Sequence, residues 1–422
     1  MDTPESPDEP QDPWPSGHPD ATPEPADPAR FVTPPRFGPP LLAVPGPEQI
    51  RRTRRRRRFG IAGWVALVLA VVLVWAGQLI RIDYYTEAPG DAVPVQPLVA
   101  IDGAPSYESD GSFMLLYIRR RDRITLLRYV QAWLDPDIDA RSFDYDQPFQ
   151  SPEDQDALSQ SDMTRAQFAA RKLALERIGE QVEVLDGLVV TSVVEGKPAS
   201  TVLQAGDVVL AIDGRDIGPG DPDDVLTSTI RSHDIGDDIT VTFERDGERR
   251  NESITTVSNG ASGEDEKPYI GILLDVRYDY PFAIEFEGQI ETIGGPSAGL
   301  AMTLALLDEL TEGELSGGGD VAVTGTIDVD GNVGNVGRVD LKAKAAARRG
   351  ATLMLVPTCH EPAEPDAYAS RADYESVLEF KRSCDEQVRK ADDAVDTVVE
   401  VATLDEALAA LEAHGGDPVP GP

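Results

Sequence analysis

Residues 293–300, Ile-Gly-Gly-Pro-Ser-Ala-Gly-Leu, run directly into the apolar segment AMTLALLDEL at 301–310. Further on, Val321 to Pro357 reads VAVTGTIDVDGNVGNVGRVDLKAKAAARRGATLMLVP. The apolar run predicts a helix, and it places Ser297 at the helix N-terminus. Small neighbours let a carbonyl carbon approach the serine hydroxyl. The backbone around Gly295, Pro296 and Ala298, with the positive end of the helix, suits a developing oxyanion. That arrangement serves acyl transfer, but a serine at this position also serves as a plain N-cap. What surrounds it has to decide.

Over 422 residues, 38 lysines and arginines against 75 aspartates and glutamates give a formal charge of −37. A field of that sign argues against nucleic acid as a general partner. The length predicts two or three folded units of roughly 100–200 residues each. Residues 1–50 hold nine acidic and two basic residues and 15 of the 34 prolines. So little apolar surface does not offset the entropy of ordering, so a disordered tail is expected over 1–58.

That tail ends in seven arginines between Arg51 and Arg58, and no charged residue follows from Phe59 to Ile80. At 1.5 Å per residue, about 20 residues span the roughly 30 Å hydrocarbon layer, so 59–80 predicts one transmembrane helix. The arginines before it set the N-terminus in the cytoplasm and everything after Arg81 outside, with Trp64 and Trp75 toward the two interfaces. The run lacks an Ala-x-Ala site, so it is expected to stay as an anchor. Cys359 and Cys384 both fall in the exported part. A disulfide is chemically allowed there, and two unrelated buried thiols are an equal reading.

Beyond the membrane, Ser112–Ile118 predicts a strand and Thr125–Leu134 a helix. The Asp-, Pro- and Ser-rich stretch from Asp135 to Asp162 reads as a long surface loop, with Ser161 or Asp162 capping a helix to about Gly179. From Gly187 the texture changes to GLVVTSVVEGKPASTVLQAGDVVLAIDGRDI, a helix near Pro222–Arg231, then ITVTFERDGE. The Gly187–Val190 entry, Pro198-Ala199, Ala205-Gly206-Asp207 ahead of Val208–Ile212 and the Asp213-Gly214 turn resemble a bacterial PDZ domain. The resemblance implies a module at 181–259 that binds an extended peptide as an added strand. The backbone of Gly187, Leu188, Val189 and Val190 would hold the peptide's terminal carboxylate.

The region from Ser297 through Pro357, with VVEVATLDEALAAL after it, resembles the proteolytic domain of Lon peptidases. It looks most like the membrane-anchored bacterial members that join one span, a PDZ insert and a Lon-like domain without an ATPase. Carried across by position, the resemblance implies Ser297 of GGPSAGL as nucleophile, Lys342 of GRVDLK as general base and Thr324 of TGTI as a hydroxyl beside that lysine. Lys344 is the second candidate for the base. Arg338 stands where a second glycine is common in the family, and Gly294-Gly295 replace an acidic-glycine pair.

An ordinary lysine titrates near 10.4, so a lysine base needs an apolar, partly dry pocket. The alanines after Lys342 and the hydroxyl of Thr324 fit that need. The expected fold class is α+β: a Lon-type proteolytic domain from 87–180 and 260–412, with the PDZ domain inserted, one transmembrane helix before it and a flexible tail at 413–422. The expected activity is an ATP-independent serine endopeptidase acting on unfolded segments or exposed termini of extracytoplasmic proteins. No metal or cofactor is expected, and a homo-oligomer is compatible with this reading.

Two rivals remain. GPSAG also fits the nucleophile elbow of an α/β-hydrolase esterase, which needs an acid and then a histidine downstream; only His360 and His414 follow, and both read as solvated loop residues. The other is a membrane-tethered PDZ adaptor without catalysis, against which the joint set Ser297, Thr324 and Lys342 argues. A nucleotide loop at Gly331–Gly337 is rejected, because no lysine followed by Ser or Thr closes it.

Overall fold

The computed structural model describes residues 47–142, 152–219, 222–261, 263–288, 290, 293, 295–360 and 371–420. The expected disordered tail falls largely on 1–46, outside the described residues. Two compact units divide the chain, Met1–Ala70 and Val71–Pro422. In the first, the described residues belong to helix α1, Pro47–Leu79. The window Ala62–Leu79 has a mean hydropathy of 2.1 and is only 6% buried, so it is long and apolar enough to cross a membrane.

The second unit begins with β1 (Tyr84–Pro94) and β2 (Ser112–Arg121). Helix α2 (Leu126–Leu134) follows, capped by the Thr125 side chain, which accepts from the Arg128 N–H. Strand β3 (Asp139–Ser142) and helix α3 (Pro152–Arg177) then occupy much of the stretch expected to be loop. Ser161 caps nothing. It lies mid-helix and buried, its Oγ 2.6 Å from Thr191 Oγ1. Met163, Ala166, Ala170, Leu173 and Ala174 recur at helical spacing, and this face of α3 enters the main core.

The inserted module consists of β4 (Glu183–Val193), β5 (Val208–Ile212), α4 (Pro222–Arg231), β6 (Asp238–Arg245), β7 (Glu248–Thr255) and β8 (Ile272–Asp279). Its strands form an antiparallel sheet in the order β8-β4-β5-β6-β7. One apolar core joins Leu188, Val190, Ile212, Val241 and Phe243 to Leu226 and Ile230 of α4. Asp207, buried, receives Arg245 Nε and Nη2, each at 2.6 Å. With β8 the sheet runs past residue 259, where the sequence reading ended the module.

The chain then returns with α5 (Gly299–Leu310), β9 (Asp320–Val323), β10 (Thr326–Ile327), β11 (Val333–Gly334), α6 (Val339–Arg349), β12 (Leu353–Pro357), α7 (Arg371–Asp392), β13 (Thr397–Val401) and α8 (Leu404–Ala413). A six-stranded mixed sheet runs β13-β12-β9-β2-β1-β3, so strands from before and after the insert share it. Alternation along its strands feeds two layers. Phe113, Leu115, Val321, Val323 and Leu355 face α3 and α5, whereas Met114, Leu116, Ala322, Met354 and Val356 face α6 and α7.

Cys359, just past β12, and Cys384 on α7 form a disulfide, which decides between the two readings of these cysteines. At a sequence separation of 25, the bond stabilises by about 3.5 kcal/mol through the unfolded chain. The expected free tail at 413–422 is docked through Val419, which packs against the main core, and through Asp417. Its N–H donates to the Glu314 carbonyl at 3.0 Å, and its carboxylate accepts the Glu314 N–H at 2.9 Å.

Candidate active site

Ser297 sits in a single tight turn, Pro296–Ala298, that leads into α5. Gly295 before it has φ +92°, a left-handed conformation that a side chain would strain. Helix α5 is buried on nearly every side, which anchors the turn. The carbonyl of Ser297 accepts the Gly325 N–H at 3.0 Å and the Thr324 hydroxyl at 3.4 Å. These bonds tie the serine to the loop after β9.

Two of the three residues expected to hold an oxyanion do not offer an amide. Gly295 N–H donates to the Ser159 carbonyl of α3 at 2.9 Å, and Pro296 has no N–H. The amide of Ser297 is left at the start of the turn, where helix geometry gives no internal acceptor, while Ala298 lies inside the turn. Gly294 lies outside the described residues.

Lys342 projects from the first turn of α6 and is 3% exposed. Its Nζ donates to Thr324 Oγ1 at 2.9 Å. Burial pushes its amine down to about 7. Ala343, Ala345 and Ala346 of the same helix are buried as well. Lys344, the second candidate, is ion-paired with Asp137 at 2.7 Å and partly exposed.

Ser297 and Lys342 line one cleft of about 850 Å³. One wall is the end of β2, Tyr117–Arg121, beyond the segment Ser112–Leu115 that pairs with β9. Sequence reasoning missed this wall, since a strand edge carries no motif. It also missed Asn335, which lines the cleft and whose buried Oδ1 has no hydrogen-bond partner among the described residues.

Arg338, the departure noted above, has φ +60°, which explains why glycine is favoured there. Its guanidinium reaches Glu87 of β1, Asp139 of β3 at 2.9 Å and Asp340 at 3.2 Å, fixing the start of α6 to both strands. His360 and His414 do not line the cleft; His414 bonds the Ala410 carbonyl at 2.7 Å at the end of α8.

Family models match this chain in two places: a PDZ domain at residues 171–256, and the Lon protease (S16) C-terminal proteolytic domain at residues 287–368. The chain carries a PDZ domain and a Lon-type proteolytic domain. The second supports a serine peptidase. No curated protein matches the chain.

Among solved structures, the chain is similar to the PDZ domain of an SdrC-like protein from Listeria monocytogenes. The identity is 28%, covering 22% of this chain and 90% of that one, with a TM-score of 0.19. A PDZ domain of an SdrC-like protein from Listeria innocua is 30% identical over 21% of this chain and 93% of its own, with a TM-score of 0.18. A solution structure from Geobacillus thermodenitrificans is 34% identical over 17% of this chain and 78% of its own, with a TM-score of 0.16.

Within the PDZ domain, Gly187–Val190 do not form an open loop. They lie inside β4 between two partners, with Gly187 N–H bonded to the Ile217 carbonyl at 3.0 Å and Val190 N–H to Asp207 at 2.8 Å. Leu188 and Val190 are buried, so the expected carboxylate site is corrected. The outer strand is β8. With α4 it borders a groove of about 300 Å³ lined by Leu226, Ile230, Tyr269, Ile270, Ile272 and Leu274.

Proposed function

We propose that this chain is a membrane-anchored, ATP-independent serine endopeptidase of extracytoplasmic proteins, with Ser297 as nucleophile and Lys342 as general base. The observation that carries the reading is the 2.9 Å bond from buried Lys342 to Thr324, in the cleft that Ser297 also lines. A neutral amine has two N–H groups and one lone pair. Giving one N–H to Thr324 leaves the lone pair to take the serine proton.

Ser297 Oγ then attacks the scissile carbonyl, and the backbone amide of Ser297 at this turn stabilises the oxyanion. Lys342, now protonated, returns the proton to the leaving amine, and water releases the acyl group by the same path. Helix α1 supports the anchor: it is apolar along its window yet covered on almost none of it, which in water is unfavourable. The arginines before it support a cytoplasmic N-terminus, and the disulfide supports an oxidising compartment for the rest. No Walker loop occurs in the sequence, so substrates enter as unfolded segments or exposed termini. Purified full-length protein should cleave a reduced, alkylated globular protein without nucleotide. Cleavage that appears only on adding ATP and magnesium would overturn the ATP-independent reading.

In this proposal the PDZ groove delivers peptides and does no chemistry. Adding a strand along β8 supplies main-chain bonds, and the apolar lining favours an apolar terminal side chain. Thr227 lines the groove and is half-buried, so Thr227→Trp fills it without opening the core. Fluorescence anisotropy with a labelled peptide ending in an apolar residue should show affinity about tenfold or more weaker. Unchanged affinity would place the peptide elsewhere.

A further inference from the structure

Helix α2 turns its apolar side away from the protein. Leu126, Tyr129, Val130, Trp133 and Leu134 recur at i, i+3, i+4, i+7 and i+8, which puts them on one stripe. They are 39%, 36%, 44%, 82% and 69% exposed. Ala132, off the stripe, is the buried residue of the helix. A helix on the surface of a water-soluble domain would turn such a stripe inward.

The position of α2 says what covers it. Leu126 N–H donates to the Ile80 carbonyl at 2.8 Å, and Ile82 N–H to the Ile124 carbonyl at 2.9 Å, so α2 starts where α1 ends. Gly77 lies against this first turn; a Cβ there would sit 3.3 Å from Leu127 Cβ. Leu79 and Ile80 are themselves 65% and 48% exposed, which extends the apolar surface from the end of α1 toward the stripe. Exposed Arg81, Arg121 and Arg123 flank it, in a chain whose net charge is −37.

We propose that α2 lies in the surface layer of the bilayer that α1 crosses, with its stripe among the upper acyl chains and the flanking arginines at the phosphates of anionic phospholipids. This rests on the reading of α1 as a span. A bilayer crossed by α1 reaches the first turn of α2 through the bonds at residues 80–82. A short amphipathic helix held there lies in the plane of the interface, where tryptophan and tyrosine are at home.

The test uses the full chain with Trp14→Phe, Trp64→Phe and Trp75→Phe, which leaves Trp133 as its one tryptophan. It is reconstituted in phosphatidylcholine–phosphatidylglycerol vesicles with or without bromine near the top of the acyl chains. Trp133 emission should fall about twofold or more with brominated lipid. Leu126→Ser with Val130→Ser should weaken the quenching. Alkaline carbonate extraction of the same vesicles separates the two readings. Protein that resists extraction while Trp133 stays unquenched overturns the placement of α2 and leaves the anchor standing. Protein that is extracted overturns both. Efficient cross-linking between copies through Val130→Cys, with Trp133 unquenched, makes the stripe a contact between copies and also overturns the proposal.

Discussion

Ser297→Ala should lower kcat/KM for peptide hydrolysis by about 10⁴-fold or more, and Lys342→Ala should fall nearly as far, because the two act as one unit. Lys344→Ala is the control: its amine is committed to Asp137 at the surface, so turnover should persist. Thr324→Val should cost about tenfold, since it removes the bond that orients the amine and not the base itself. The pH profile follows from an amine that titrates at about 7. Below that value the amine is protonated, and activity should fall about tenfold per pH unit; above it, activity should level off. A dead Lys344→Ala beside an active Lys342→Ala would reassign the base. A profile flat from pH 5 to 8 would end the Ser/Lys mechanism.

The second expected effect is on stability, and its sign is opposite: Lys342→Met should stabilise the protein. The amine titrates at about 7 when folded against 10.5 when unfolded. Above 10.5 both states are neutral and the group costs nothing. Between the two values the unfolded state binds more protons, so stability rises with pH. Below about 7 the folded state carries a buried ammonium at full cost, on the order of 5 kcal/mol. The gain from methionine should therefore be several kcal/mol at pH 6 and small at pH 10, less the lost bond to Thr324. Urea midpoints of the full chain in micelles at both pH values measure it. A methionine variant no more stable than the parent at pH 6 would mean the lysine is not held in a dry site.

These opposed effects sit on residues that were largely readable beforehand. Ser297 was legible because a small-residue turn meets an apolar helix, and Lys342 and Thr324 because the resemblance carried their spacing. The structure brings Lys342 and Thr324 into direct contact, and Lys342 and Ser297 into one cleft. What failed, failed where distant chain segments compete. Gly187–Val190 look like an entry loop until β8, whose strand follows only at Ile272–Asp279, takes the edge beside them. Ser161 looks like a cap because hydroxyls favour helix starts, but the helix begins at Pro152, and the hydroxyl finds Thr191 instead. Gly295 was expected to offer an amide, and that amide is claimed by Ser159 on α3. In each case the local pattern was consistent and a tertiary partner overrode it.

Strand β2 has one end in the cleft wall, at Arg119–Arg121, and leads within a few residues to Thr125, which starts α2. With α2 placed at the bilayer surface as proposed, that short connection holds the cleft wall close to the membrane. A chain leaving the same membrane would then reach the cleft only after a minimum exposed length. Partly embedded substrates would then be trimmed to stubs of a minimum length, and proteins with shorter exposed ends would be spared by reach alone, whatever their sequence.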